Sequence, residues 1–127
     1  MDEIGDSCRR QIQETEMEDI IRICKHVIKC MVDSDYKLLE KEGALTRVSE
    51  KDIKRVLNDY NLSENIIIPP DDYYQHIYVN EYKDGSGYHV DLDLWYCNGQ
   101  SDLTLQLDIR KKGYDKLIFI IDDLRVL

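Results

Sequence analysis

An α+β domain is the fold this sequence predicts: N-terminal helices packed on a curved, cone-like antiparallel β-meander of about four strands. Two observations predict it. The hydrophobic period changes once, near Pro69-Pro70, from helical spacing before to strict alternation after. Turn signals at Lys83-Asp84-Gly85-Ser86-Gly87, Asn98-Gly99 and Gly113 then cut the second half into strands. No repeat or Gly/Ser linker interrupts the chain. Its 127 residues, 43% hydrophobic and 34% charged, therefore read as one domain over 1–127, with helices about 16–61 and sheet about 76–127.

The first helix is expected to begin after Thr15, because Thr15-Glu16-Met17-Glu18 fits a capping box. Met17, Ile20, Ile21, Cys24, Val27, Ile28 and Met31 follow at helical spacing, and Asp33-Ser34-Asp35 breaks the pattern. A short second helix carries Leu38 and Leu39 and stops at Gly43. A third starts at Ser49, with Asp52 in the capping position, and is expected to bury Ile53, Val56, Leu57 and Tyr60 before ending near Asn61. Ile77 to Lys83 alternates weakly. From Tyr88 to Tyr96 the even positions are apolar or tyrosine, while His89, Asp91, Asp93 and Trp95 share the other face. Leu103, Leu105, Leu107 and Ile109 form one face of the next strand, opposite Thr104, Gln106 and Asp108. Tyr114 to Ile121 is apolar on both faces, which predicts a central or doubly covered strand.

Charge narrows the function. The net charge is −9, which argues against nucleic acid and anionic membranes as partners. Residues 71–109 hold eight acids against the single base Lys83, and six of the nine tyrosines with the one tryptophan. An acidic face rich in aromatics suits a cationic protein surface: the charge speeds encounter and the rings anchor the complex. No apolar run approaches the ~20 residues that span a bilayer. The start, Met1-Asp2-Glu3-Ile4-Gly5-Asp6, lacks the apolar core of a secretory signal, so a cytoplasmic setting is expected. Cys8, Cys24, Cys30 and Cys97 form no Cys-x-x-Cys pair and read as reduced thiols.

Chemistry-bearing motifs are few. His89, Asp91 and Asp93 on one strand face suit a divalent cation or, more simply, a solvated outer face. Asp122 and Asp123 end an apolar strand, where an aspartate can act as a general acid or base, cap backbone amides at a turn or pair with a cation. Gly-x-Ser-x-Gly and Walker-type loops are absent, and Asp84-Gly85-Ser86-Gly87 lacks the lysine and helix of a phosphate cradle. The sequence therefore assigns no catalytic residue, no metal and no cofactor.

Three segments carry a family resemblance. Val90-Asp91-Leu92-Asp93-Leu94-Trp95, Gly99-Gln100-Ser101-Asp102-Leu103-Thr104-Leu105 and the ending Ile121-Asp122-Asp123-Leu124-Arg125-Val126-Leu127 resemble a group of small bacterial proteins known only as a domain of unknown function. That group tends to run Val-Asp-Leu-Trp, then Arg-Ser-Asp-Leu-Thr-Leu, then Ile-Asp-Asp-Leu-His-Val-Leu. Gln100 stands where its arginine is common and Arg125 where its histidine is. Met31-Val32-Asp33-Ser34-Asp35-Tyr36-Lys37-Leu38-Leu39 is similar to the matching helix end. The resemblance implies a fold and no reaction. The order of elements also resembles the nuclear-transport-factor-2-like cone.

The reading that follows is a non-enzymatic binding protein, an immunity-type protein that neutralises a basic bacterial toxin domain such as a nuclease. Its expected contacts are Tyr78, Tyr82, Asp91, Asp93, Trp95 and Asp108. The expected assembly state is a monomer or weak homodimer. The alternative is a small-ligand or enzymatic cone domain with a pocket between helices and sheet.

Overall fold

The computed structural model describes residues 12–61 and 63–127. The acidic first residues and Cys8 lie outside the described residues. Helix α1 spans Glu14–Val32. It starts earlier than the Thr15 box predicts, because the Glu16 carboxylate accepts from the Gln13 backbone N–H at 3.1 Å, which moves the cap to Gln13. Ile20, Cys24, Val27, Ile28, Cys30 and Met31 form its buried stripe. The helix ends at Ser34, whose φ of 56° is left-handed, while Asp35 N–H reaches back to the Cys30 carbonyl at 2.7 Å. Asp35 then caps α2, Tyr36–Lys41. Gly43 (φ 84°) closes α2, with Ala44 N–H bonded to the Leu39 carbonyl.

Helix α3, Glu50–Tyr60, opens on the predicted box: Ser49 and Asp52 exchange two hydrogen bonds of 3.1 Å. Of its four expected core residues only Ile53 is fully buried. Val56 and Leu57 are half-buried, and Tyr60 is 37% exposed. Tyr60 has neighbours near the chain's other end instead: its ring stacks on Tyr96 and its hydroxyl donates to Asp102.

Strands β1 (Tyr78–Glu81), β2 (Gly87–Tyr96), β3 (Gly99–Lys112) and β4 (Lys116–Val126) form one antiparallel meander in the order β1-β2-β3-β4. The even side chains of β2 and the leucines of β3 join the helices in a single core. Full burial of one such side chain, Leu105 for instance, stabilises by roughly 1.5–3 kcal/mol. Helix α1 runs along β2. Glu16 meets the Tyr88 hydroxyl at one end, and Met31 shares a cavity wall with Tyr96 at the other. Fifteen helical steps cover about 22 Å and eight strand steps about 26 Å, so the two elements match in length. At the start of β2, a β-carbon on Gly87 would sit 2.1 Å from the Ile109 carbonyl oxygen, so only glycine fits there.

Two features depart from expectation. Among the described residues β4 is an edge strand, not a central one. Leu117, Phe119 and Ile121 turn to the core, while Ile118 and Ile120 lie half-buried beside Arg110 and Asp108 on the other face. The unforeseen segment is 63–77. Ile67 bridges Trp95, and a 3-10 helix, Asp71–His76, buries Tyr73 and Tyr74 beside the open edge of β2. Buried side chains of the core cluster occupy most of the interface between helices and sheet. A cavity of about 300 Å³ lies where α1, α3 and the end of β2 converge, lined among others by Met31, Leu57, Ile66 and Tyr96. Among the described residues, no helix is long and apolar enough to cross a membrane.

Candidate functional site on the outer sheet face

The face of the sheet away from the helices carries every outward-pointing carboxylate of β2 and β3. Register sets the neighbours. His89 lies opposite Asp108, Asp91 opposite Gln106, Asp93 opposite Thr104 and Trp95 opposite Gln100, with Asn80 and Tyr78 beyond them on β1. Alternation places all of these on one side. The face then divides into two unlike halves.

In the first half, Asp91 and Asp93 are half-buried and bonded only to uncharged amide and hydroxyl donors and to one imidazole. His89 Nε2 lies 2.7 Å and Gln106 Nε2 3.0 Å from Asp91 Oδ1. Thr104 Oγ1 donates to Asp93 Oδ1 at 2.7 Å and Gln100 Nε2 to Asp93 Oδ2 at 2.9 Å. No described lysine or arginine forms an ion pair with either. The two carboxylates are two residues apart, about 7 Å along the strand. Tyr78, 54% exposed, stands opposite Asp91. Trp95 is half-buried edge-on to Tyr73, and its indole Nε1 is buried without a hydrogen-bond partner. Asp93 also opens onto a polar groove of about 860 Å³ that holds Gln100, Ser101 and Asp102. Asp102 lies where β3 departs from regular pairing: Asp93 pairs with Thr104 but Trp95 with Gln100, so extra β3 residues bulge out.

In the second half the charge is cancelled. Asp108 is 3% exposed and accepts from the Tyr82 hydroxyl (2.9 Å) and Arg110 Nε (2.8 Å), while Arg47 lies 2.9 Å from its other oxygen. Arg47 also binds Asp122 at 2.9 Å. Asp122 is the extra residue of a bulge, since Leu107 pairs with Ile121 and Gln106 with Asp123. Burial alone would push the Asp108 carboxyl up. The hydrogen bonds from Arg110, Tyr82 and Arg47 outweigh it and hold the group below its ordinary value. Burial, then the bond to Asp108, pushes the Tyr82 phenol up to about 12. The Arg110 guanidinium lies 4.7 Å above the Tyr82 ring centre.

Of the six expected contacts, Asp91, Asp93, Tyr78 and Trp95 thus share the anionic half. Tyr82 and Asp108 belong to the cancelled half, where Asp108 is enclosed. Asp102 and Arg47 were missed. Asp102 sits in a pairing irregularity that alternation does not reveal, and Arg47 comes from the helical half of the chain with no local signal. Among the described residues, no three His, Cys, Asp or Glu side chains are grouped to hold a metal ion. Cys24, Cys30 and Cys97 are free thiols, and burial pushes the Cys24 thiol up to about 12, which makes it inert.

A family model described as a domain of unknown function (DUF7668) matches residues 28–127. No curated protein and no solved structure matches.

Proposed function

For a chain that belongs to this family, which brings no reaction with it, we propose a non-enzymatic binding protein of the immunity type. It occupies the cytoplasm and neutralises a basic bacterial toxin domain, a nuclease in the concrete case. One observation carries the reading: Asp91 and Asp93 stand side by side, half-buried, and no described lysine or arginine pairs with either; Thr104 and Gln100 hold Asp93, and Gln106 and the His89 imidazole hold Asp91. These bonds orient the carboxylates with no lysine or arginine of the chain upon them, so a lysine or arginine of the partner meets them already placed. Tyr78 and Trp95 flank them and supply aromatic area. Tyr82 and Asp108 support this surface from the adjoining half.

The test is capture of the partner from the native host, which should recover a basic protein, followed by titration of that partner. Binding should weaken as salt rises, and Asp91→Asn with Asp93→Asn should weaken it at least about tenfold, mostly through a slower on-rate. A partner that is neutral or acidic, or an affinity indifferent to both salt and the double substitution, defeats the proposal.

A further inference from the structure

The outer edge of β4 is a main-chain surface with a fixed parity. In an antiparallel strand, alternate residues turn both N–H and C=O to the same side. Ile121 N–H points away from β3, to the Ala44 carbonyl at 2.9 Å. Phe119 and Leu117, two and four residues earlier, therefore also turn their amides and carbonyls outward. No partner takes them among the described residues. The side chains along this stretch are apolar and half-buried on both faces: Leu117 and Phe119 inward, Ile118 and Ile120 outward. Edges left this apolar and this open join other strands unless charge or proline blocks them.

We propose that this edge pairs with the same edge of a second copy, antiparallel, about a two-fold axis at Ile118. The parity selects that register. An axis at Phe119 would set Leu117 against Ile121 of the second copy, whose amide Ala44 already holds. An axis at Leu117 would draw in Asp115, which lies in the β3–β4 turn outside the strand. An axis at Ile118 sets Leu117 against Phe119 twice and closes four main-chain hydrogen bonds. It also brings the two Ile118 side chains together on the outer face.

Charge agrees with this register. Lys116 is exposed, makes no ion pair among the described residues, and lies on the outer face with Ile118. It would face Ile120 of the second copy, with Asp122 of that copy diagonally next. A lysine reaches that far, about 7–8 Å between backbones. Asp122 is 39% exposed at its side chain, so it can take a second cation beside Arg47. Asp91 and Asp93 lie two strands away, about 10 Å across the sheet. Pairing at β4 leaves them open, and its test stands apart from the toxin proposal.

The experiment is solution mass over a concentration series, combined with disulfide trapping in a chain whose Cys8 and Cys97 are replaced by serine. Cys24 and Cys30 are buried and stay. The mass should rise to twice the monomer's, and Lys116→Glu should raise the dissociation constant about tenfold without altering the circular dichroism spectrum. Ile118→Cys should cross-link under oxidised glutathione, since directly opposed residues without mutual hydrogen bonds sit about 4.5 Å apart. Ile120→Cys, which would face Lys116, should not. A monomer at every concentration overturns the proposal. So does a dimer that Ile118→Cys fails to trap, or equal trapping by both cysteines.

Discussion

Asp93 and Asp108 occupy the same face of the same sheet, yet one has no guanidinium partner and the other is paired with two. Both are aspartates on outward positions of neighbouring strands, and alternation treats them alike. Asp93 is met by a threonine and a glutamine. Asp108 is met by two guanidiniums and a phenol, and is enclosed. The difference comes from Arg47, delivered from the segment between α2 and α3, and from Arg110 two residues along β3. Polar satisfaction follows the same division. Of the two buried side-chain atoms without a partner among the described residues, Trp95 Nε1 lies on this face at the Asp93 end and the Tyr96 hydroxyl lies on the core side of the same strand end. One half of the face is built for stability. The other is left incompletely satisfied, as surfaces that await a partner are.

Removing Asp108 should break this contrast most severely. Asp108→Ala leaves Arg47, Arg110 and Tyr82 facing one another without their shared acceptor. It should destabilise the fold by about 3 kcal/mol in urea unfolding, the low end for a broken buried ion pair because both arginines are partly exposed. Arg47→Met should cost less, about 1–2 kcal/mol, since Arg110 and Tyr82 still reach Asp108. Tyr96→Phe should act in the opposite direction. It deletes a buried hydroxyl without a partner and should raise stability by about 1 kcal/mol in the same measurement. Smallest of all, Asp91→Asn with Asp93→Asn should move stability by less than about 1 kcal/mol, because an amide oxygen still accepts from Thr104 and Gln106.

Acid sharpens the same comparison. The folded Asp108 carboxyl lies below its unfolded value, so its stabilisation is present above about pH 4 and is lost as pH falls through the folded value. The gap between the parent chain and Asp108→Asn in urea midpoint should therefore narrow steadily from pH 5 downward. A gap that stays constant to pH 3 would mean the carboxylate charge contributes nothing there.

Much of the fold was legible because period and turns are local properties. The even face of β2 is buried from Tyr88 to Tyr96 without exception, as alternation requires. The box at Ser49 and the stops at Ser34 and Gly43 are written within a few residues. β4 misled because apolar character on both faces reports burial, or the capacity for it, and not position in the sheet. The 3-10 helix after Pro69-Pro70 had a signal that went unread: a proline at the cap followed by Asp71-Asp72 at its start. The anionic half of the site was readable as a strand face. Its division from the cancelled half was not, since Arg47 joins Asp108 only once the helical layer has folded against the sheet.

The glycine at the head of β2 has a consequence for assembly of the chain. Were the β2–β3 hairpin to zip one step out of line, Ser86 or Tyr88 would bring a side chain to the spot where the Ile109 carbonyl leaves no room. That clash disfavours the shifted register. Such a slip would also invert the strand, sending Asp91 and Asp93 inward and Leu92 to water. One missing β-carbon thus favours the register that keeps the acidic surface on the outside.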